Sequence, residues 1–261
     1  MNHRTGAHVL FAMMCILILS SPAVGQEDRF DRVLLPVAIA EPVPGGYGSI
    51  WTTQFVGLNG APVDVKIRQG SPETCRITCP NDQFPPQETF TFGLIPEWTN
   101  GGPTYLWIES DLMDQVDLHL RVQDISRQAE TWGTSIPIVY ESDVYTERLV
   151  LLDIPTDDRF RQTLRIYDFD GAGETQARIR VFSQTQFPIL LAETVVTMPW
   201  FEGITRPGFV LIPSLTSSFP AIRNEERVLV EVTPVTEGLR FWAFVSVTNN
   251  ETQHVTVISP R

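Results

Sequence analysis

The segment TTQFVGLNG, residues 52–60, is answered later in the chain by TLRIYDFDG, residues 163–171, and this pair decides the fold. Each segment is a strand-like run that ends in Asn-Gly or Asp-Gly, dipeptides typical of tight turns. Because the two segments share both features, they indicate an internal duplication.

Other signals recur in the same order on both sides of these segments. The corresponding pairs are Leu34-Leu35 with Leu151-Leu152, the Leu-Ile-Pro ending at Pro96 with that ending at Pro213, YLWIE with VLVEV, LHLRVQD with FWAFVSVTN, and IPIV with VISP. We therefore expect two copies of one folding unit, residues 26–143 and 144–261, joined within residues 141–148. Each copy is long enough to bury its own core.

The local pattern of both copies is β-strand. Short runs rich in Val, Ile, Thr and aromatic residues alternate apolar with polar positions, and 20 prolines and 17 glycines separate them. About seven such runs fill each copy of about 110 residues, the size of an immunoglobulin-like sandwich. The sequence therefore predicts an all-β protein with two tandem immunoglobulin-like or fibronectin-like β-sandwich domains.

The first 25 residues have the pattern of a signal peptide. An apolar core, HVLFAMMCILIL, precedes Ala23-Val24-Gly25, a small-x-small cleavage pattern, so the mature chain is expected to begin at Gln26. A membrane anchor is the alternative interpretation of this stretch. No later stretch is apolar for long enough to predict a transmembrane helix. We expect a secreted or extracytoplasmic protein, in the periplasm or at the cell surface.

The chain is acidic, with a formal net charge of −12 at pH 7. A surface of that sign repels nucleic acid and anionic lipid headgroups, so neither is an expected partner. Cys75 and Cys79 are the two cysteines after the signal peptide, and in an oxidising compartment they predict a local disulfide. Zinc is the alternative, although His119 and His254 alone supply imidazole ligands after residue 25.

Two acidic groups raise the question of calcium. The denser group lies between two predicted strands and consists of Glu109, Asp111, Asp114 and Asp117. It predicts either a calcium site or a solvated acidic turn, and the turn is favoured because no glycine-centred ligand loop is present. Asp168 and Asp170 precede Gly171 in a similar way, but the other copy keeps only the turn chemistry, which favours a hairpin turn there.

Three tryptophans lie beside Gly, Asn, Thr or Pro, in predicted loops or strand ends, namely Trp98, Trp132 and Trp200. Exposed indoles of this kind stack on sugar rings or anchor a protein partner, and buried ones close the end of a sandwich. By contrast, Trp51, Trp107 and Trp242 lie within strand-like runs and are expected to pack in the core or on a sheet face.

The sequence contains no recognisable catalytic constellation. It lacks a Gly-x-Ser-x-Gly elbow, a His-Glu-x-x-His pair and a phosphate-binding glycine-rich loop. We therefore expect no catalytic residue and no cofactor. A hydrolase with paired carboxylates on a sandwich scaffold is an alternative of lower rank.

Motifs at the start of the first copy and at the end of the second carry a resemblance to known proteins. Leu35-Pro36 and Gly48-Ser49-Ile50-Trp51-Thr52 open the first copy, and the run Phe241–Asn249 followed by Ile258-Ser259-Pro260 closes the second. In these features the chain resembles the tandem immunoglobulin-like β-sandwich modules of uncharacterised secreted bacterial proteins. The second copy lacks the Gly-Ser-x-Trp motif, and the resemblance supplies no catalytic residue.

The sequence thus predicts a non-catalytic exported protein that acts in surface attachment or in envelope or matrix protein interactions. Its expected partner is an extracellular or envelope protein. A glycan-binding module that uses the loop tryptophans is the alternative, and a secreted hydrolase is the second alternative.

Overall fold

A computed structural model describes residues 29–69, 81–94, 102–127, 132–171, 173–200 and 206–260. The signal-peptide prediction for residues 1–25 lies outside these residues. Within them, no helix has the length and apolar character needed to cross a membrane. The described residues form strands joined by turns, 3-10 helices and one four-residue α-helix, so the predicted all-β class is confirmed.

Strands β1 to β10 lie in the N-terminal half. They are β1 (Phe30–Leu35), β2 (Val43–Pro44), β3 (Ile50–Asn59), β4 (Val65–Gln69), β5 (Asn81–Phe84), β6 (Thr89–Thr91), β7 (Thr104–Glu109), β8 (Val116–Asp124), β9 (Thr134–Ile136) and β10 (Val139–Tyr140). The 3-10 helices of this half and of the junction are Gly46–Gly48, Ser110–Gln115, Ile125–Arg127 and Glu141–Asp143.

Strands β11 to β18 lie in the C-terminal half. They are β11 (Leu149–Pro155), β12 (Phe160–Asp168), β13 (Thr175–Ser183), β14 (Leu190–Met198), β15 (Gly208–Ile212), β16 (Arg227–Pro234), β17 (Phe241–Asn249) and β18 (Val255–Ile258). The α-helix Leu215–Ser218 and the 3-10 helix Pro220–Asn224 connect β15 to β16.

The strands form four antiparallel sheets, two in each half. The N-terminal half contains sheet A, in the order β10-β1-β7-β4-β5, and sheet B, in the order β2-β3-β8-β9 with β6 also paired to β3. The C-terminal half contains sheet D, in the order β11-β16-β13-β14, and sheet C, in the order β15-β12-β17-β18. Among the described residues, each strand pairing joins two strands of the same half.

The two halves share one strand order. When β2 and β10 are set aside, β1-β7-β4-β5 corresponds to β11-β16-β13-β14, and β6-β3-β8-β9 corresponds to β15-β12-β17-β18. The segments that the sequence pairs, such as residues 52–60 with 163–171, occupy corresponding strands. The repeated sequence signals therefore report a repeated topology.

The repeated unit agrees with an immunoglobulin sandwich in its central pairings and differs in its outer strands. In the repeated unit, as in the immunoglobulin fold, the second strand in chain order pairs with the fifth, and the third pairs with the sixth. In the immunoglobulin fold the first strand lies beside the second and the seventh beside the sixth. Here the first lies beside the sixth and the seventh beside the second, so these two strands have exchanged sheets.

Each half has its own apolar core, to which both of its sheets contribute. In the N-terminal half, Leu35 and Ile108 of sheet A pack in one cluster with Phe55 and Leu120 of sheet B. In the C-terminal half, a separate cluster joins residues such as Leu151 of sheet D to residues of sheet C. The two sheets of a half therefore pack face to face, an arrangement of the β-sandwich type.

A third apolar cluster joins the two halves. Its buried members are Leu34, Val37, Ile39, Tyr105, Val139, Tyr167, Phe169, Trp242 and Phe244. The residues of β12 and β17 in this cluster alternate with residues of the C-terminal core, so sheet C is covered on both faces. This explains why β17 reads FWAFVSV, with residues 241–247 all buried, instead of alternating.

The Asn-Gly and Asp-Gly turns lie where the sequence predicts turns, but the predicted hairpin is wrong. The turn at Gly171 leads from β12 in sheet C to β13 in sheet D, and these strands do not pair. Gly171 has a φ of 57°, and the Oδ1 of Asp168 accepts the N–H groups of Asp170 and Gly171. This turn therefore connects strands of two different sheets.

Candidate binding site

Two of the three candidate tryptophans lie in the described residues, and both are exposed. Trp132 follows β8 and is 77% exposed, with the guanidinium of Arg121 5.3 Å from its ring centre. Trp200 follows β14 in the other half and is 52% exposed. Trp98 lies outside the described residues, as do Cys75 and Cys79. The two exposed indoles are available for contacts with a ligand.

The four acidic residues considered for calcium do not point to one place. Glu109 turns toward β4, where its carboxylate accepts the N–H of Lys66 at 2.9 Å and lies 3.4 Å from the Lys66 ammonium nitrogen. Asp111 is exposed in the 3-10 helix. Asp114 and Asp117 line a separate groove. In the described part of the chain, no three His, Cys, Asp or Glu side chains are close enough to hold a metal ion.

That groove, of about 580 Å³, is acidic and lies beside the junction of the halves. Asp31 and Glu141 line it together with Asp114 and Asp117, and the Tyr140 side chain forms part of its wall. Burial raises the pKa of the Tyr140 phenol, and the nearby Asp143 and Asp117 raise it further. The groove therefore favours a protonated phenol among carboxylates.

Four charged side chains join the halves at the edge of the third apolar cluster. Arg32 of β1 donates to Asp170 at 2.9 Å, and Arg240 donates to the same carboxylate oxygen at 3.2 Å. Arg240 also donates to Glu141 at 3.1 Å, and Glu141 lies 3.8 Å from the Nε of Arg32. Two arginines and two carboxylates thus alternate around one contact, which balances their charges.

The same arginines enclose an aromatic ring. The guanidinium of Arg32 lies 4.4 Å from the ring centre of Phe169 and 4.9 Å from that of Tyr105, and Arg240 lies 5.4 Å from Phe169. Arg32 is 8% exposed, so its cation–π and ionic contacts operate with little solvent screening. These contacts fix Arg32 of one half against Phe169 and Asp170 of the other.

Two tyrosines, one in each half, donate hydrogen bonds to the other half. Tyr105 donates to the carbonyl oxygen of Phe169 at 2.6 Å, and Tyr167 donates to the carbonyl oxygen of Pro36 at 2.8 Å. Burial raises the pKa of both phenols above the ordinary value for tyrosine. Their reciprocal contacts orient the halves, and the sequence pattern alone did not reveal them.

Another groove lies where the halves differ in topology. In sheet A, β10 covers the outer edge of β1, with Val139 opposite Leu34 and Tyr140 opposite Val33. In sheet D, no strand of the described residues pairs with the outer edge of β11. A groove of about 850 Å³ lies there, between Leu152 on β11 and the facing strand β18. We call this space the edge groove.

One end of β11 is protected against further pairing and the other is open. The register of β11 on β16 shifts between Leu151 and Ile154, and Asp153 has a φ of 65°. Asp153 forms an ion pair with Arg227 and gives its N–H to the Gln184 side chain at 2.7 Å. A bulge with a satisfied charge discourages pairing, so the stretch of β11 that has neither a bulge nor a described strand at its outer edge is residues 149–151, next to the groove-lining Leu152.

No family model, curated protein or solved structure matches this chain. The sequence identified Trp132 and Trp200 as candidates without deciding whether they are exposed, and it did not reveal the edge groove or the charged contact between the halves. The available signal for that contact was the unbroken apolar run of β17, which indicates a strand covered on both faces.

Proposed function

We propose that this chain is a non-catalytic exported protein that binds an extracellular or envelope protein. In this proposal residues 1–25 are a signal peptide, and residues 26–143 and 144–261 are tandem β-sandwich domains related to the immunoglobulin-like type. The observation that supports the binding role is the edge groove. An extended segment of the partner would add a strand beside β11, as in other cases of strand addition.

The N-terminal half supplies the pattern for such a complex. The edge of β1 that carries Val33-Leu34-Leu35 is covered by β10, and β11 carries the similar run Val150-Leu151-Leu152. A strand added to β11 would gain main-chain hydrogen bonds for affinity, while alternate side chains would enter the groove for specificity. The expected partner segment is therefore short, extended and apolar at every second residue.

The contact between the halves supports attachment as the purpose of binding. The Arg32–Asp170 ion pair and the two tyrosine hydrogen bonds fix the orientation of β11 relative to the N-terminal half. Among the candidate carboxylates, Glu109 supports a non-catalytic role, because its ion pair with Lys66 has a structural explanation.

Capture of the partner from the exported fraction tests the proposal. Leu152→Lys places a charge in the edge groove, directly beside the open stretch 149–151, where lysine opposes strand addition. Val195→Lys is the matched control, because Val195 lies on β14, the opposite edge of the same sheet, and is 45% exposed against 36% for Leu152. We expect the captured protein to be lost with Leu152→Lys and retained with Val195→Lys. Equal capture by both variants would rule out the edge groove.

Glycan binding is the second candidate, and the exposure of Trp132 and Trp200 favours it. An exposed indole offers a flat apolar face to a sugar ring, and Arg121 beside Trp132 adds hydrogen-bond donors. Binding on a glycan array that disappears with Trp132→Ala or Trp200→Ala, and persists with Leu152→Lys, would favour this function over strand addition.

A further inference from the structure

A second cleft, separate from the edge groove, lies between the two halves beside the third apolar cluster. Its volume is about 230 Å³. Ile39, Trp51 and Val122 contribute to its wall from the N-terminal half, and β12 and β17 form its floor from the C-terminal half. At about 30 Å³ for each water molecule, the cleft has room for roughly eight. A ligand of this site is therefore smaller than a typical drug-sized molecule.

The floor of the cleft is polar and carries two arginines on one face of β12. Arg161 and Arg165 are four residues apart on this strand, which separates their Cα atoms by about 13 Å. Each arginine lies opposite a residue of β17 that also lines the cleft, Thr248 for Arg161 and Phe244 for Arg165. The cleft thus combines an apolar wall with a basic floor.

In the part of the chain that the structure describes, Arg161 and Arg165 lack the carboxylate partner that several other arginines of the C-terminal half have. Six arginines of the C-terminal half form ion pairs with carboxylates, namely Arg148, Arg159, Arg178, Arg180, Arg227 and Arg240. Among the described residues, no carboxylate lies within ion-pairing distance of Arg161 or Arg165. In a chain with a net charge of −12, two half-buried arginines without a carboxylate are unexpected on electrostatic grounds.

Arg165 has one side-chain hydrogen-bond partner and one aromatic contact among the described residues. Its Nη1 donates to the hydroxyl of Ser246 at 2.8 Å, and its guanidinium lies 5.4 Å from the ring centre of Phe244. None of its nitrogen atoms is fully buried without a hydrogen-bond partner. Burial lowers the pKa of Arg165, the direction that desolvation of a cation produces. An incoming carboxylate would offset that desolvation through charge-assisted hydrogen bonds.

Arg161 is held more fully by the protein. It donates to the side chain of Gln253 at 3.0 Å, and its guanidinium lies 5.2 Å from the ring centre of Tyr47. Arg165 is therefore the better receptor for a carboxylate, and one guanidinium fork suits one carboxylate.

We propose that this cleft binds a small amphipathic carboxylate, with the carboxylate on Arg165 and the apolar part against Trp51, Ile39 and Val122. The size of the cleft suits an acid of about six carbons, because such a molecule has roughly as many non-hydrogen atoms as the cleft has room for water molecules. The proposal does not depend on strand addition at β11, since the cleft has its own lining residues.

Calorimetric titration of the whole mature chain with hexanoate tests this site. Hexylamine, which has the same number of carbon atoms and the opposite charge, is the ligand control. We expect hexanoate to bind at millimolar concentrations or below and hexylamine not to bind. Equal binding of the two probes would overturn the proposal, because the Arg165 cation would then not distinguish an anion from a cation. No binding of hexanoate up to about 10 mM would also overturn it.

Variants of the floor locate the binding. Arg165→Gln is expected to weaken hexanoate binding roughly tenfold or more, the usual effect of losing a charge-assisted pair. Arg223→Gln is the control, because Arg223 is exposed beyond β15 and donates only to the carbonyl of Thr216 among the described residues. If Arg165→Gln does not fold, Ser246→Ala keeps the charge and removes the hydroxyl that orients it. Unchanged affinity in the foldable variants would also overturn the proposal.

Discussion

The two halves share a strand order but differ in what covers corresponding strands. In the N-terminal half, β8 presents one face to its core and one to solvent, and β1 is covered at its edge by β10. In the C-terminal half, β17 is buried on both faces, and β11 has no described strand at its outer edge. The same strand order thus supports a contact between the halves on one surface of the C-terminal half and an edge without a described strand on another.

The largest effect is expected where β8 and β17 differ. Phe244 of β17 is fully buried between the halves, whereas β8 carries the exposed His119 on the face that points away from its core. Phe244→Ala should lower the free energy of unfolding by about 3–5 kcal/mol, whereas His119→Ala should change it by less than about 0.5 kcal/mol. Urea unfolding followed by circular dichroism measures both variants. Similar losses would mean that the two strands have similar surroundings.

A smaller loss is expected at the charged contact between the halves. Arg32→Met keeps much of the apolar contact and removes the hydrogen bond to Asp170, which should lower the free energy of unfolding by about 1.5–3 kcal/mol. Arg178, whose pairing with Glu193 is exposed, is the control, and Arg178→Met should cost at most about 1 kcal/mol. If the losses are equal, the Arg32 contact has no special part in joining the halves.

The tyrosine hydrogen bonds predict a loss of stability in alkaline solution. Burial raises the pKa of Tyr105 in the folded chain, while the unfolded chain has the ordinary value of about 10. Stability from this phenol is therefore fully present below about pH 10 and falls as the pH rises toward the folded-state pKa. Tyr167 has the same direction of shift and adds to the fall.

Tyr105→Phe should reduce this pH dependence and lower the free energy of unfolding at pH 7 by about 1–2 kcal/mol, because it removes a buried hydrogen bond. Tyr47→Phe is the control, since Tyr47 is exposed. Urea unfolding at a series of pH values from neutral to alkaline provides the measurement. An unchanged alkaline profile for Tyr105→Phe would contradict the importance of its hydrogen bond to Phe169.

The smallest effect is expected at the edge groove. Leu152→Lys should change the free energy of unfolding by less than about 0.5 kcal/mol, because residue 152 lies at an exposed edge with room for a longer side chain. Thermal unfolding of this variant beside Val195→Lys checks the prediction. A large loss for Leu152→Lys alone would mean that the edge is packed against the rest of the half, and it would remove this variant as a test of partner binding.

The sequence predicted the features that local chemistry controls. The repeated turns at Gly60 and Gly171 and the alternation around Leu120 reflect backbone geometry and burial over a few residues. The exchange of the outer strands could not be predicted, because an alternating run has the same pattern beside either neighbour. The Arg32–Asp170 contact joins residues 138 positions apart, and nothing local to either residue marks the other as its partner.

The edge groove also has no local sequence signal. Val33-Leu34-Leu35 and Val150-Leu151-Leu152 are nearly alike, and only their three-dimensional neighbours distinguish a covered strand from an open one. For Trp132 and Trp200 the flanking Gly and Pro residues predicted loops or strand ends but left exposed and buried indoles as alternatives, and the structure shows both indoles exposed.

Hydrogen exchange of β1 and β11 in the isolated chain tests the central difference between the halves most directly. Val33 and Leu34 of β1 lie between β10 and β7, whereas Leu149–Pro155 have a strand partner on one side among the described residues. We predict that part of the β11 amides exchange well before those of β1 at the same pH and temperature. Equal protection of the two strands would show that the edge of β11 is already covered and would contradict its role in partner binding.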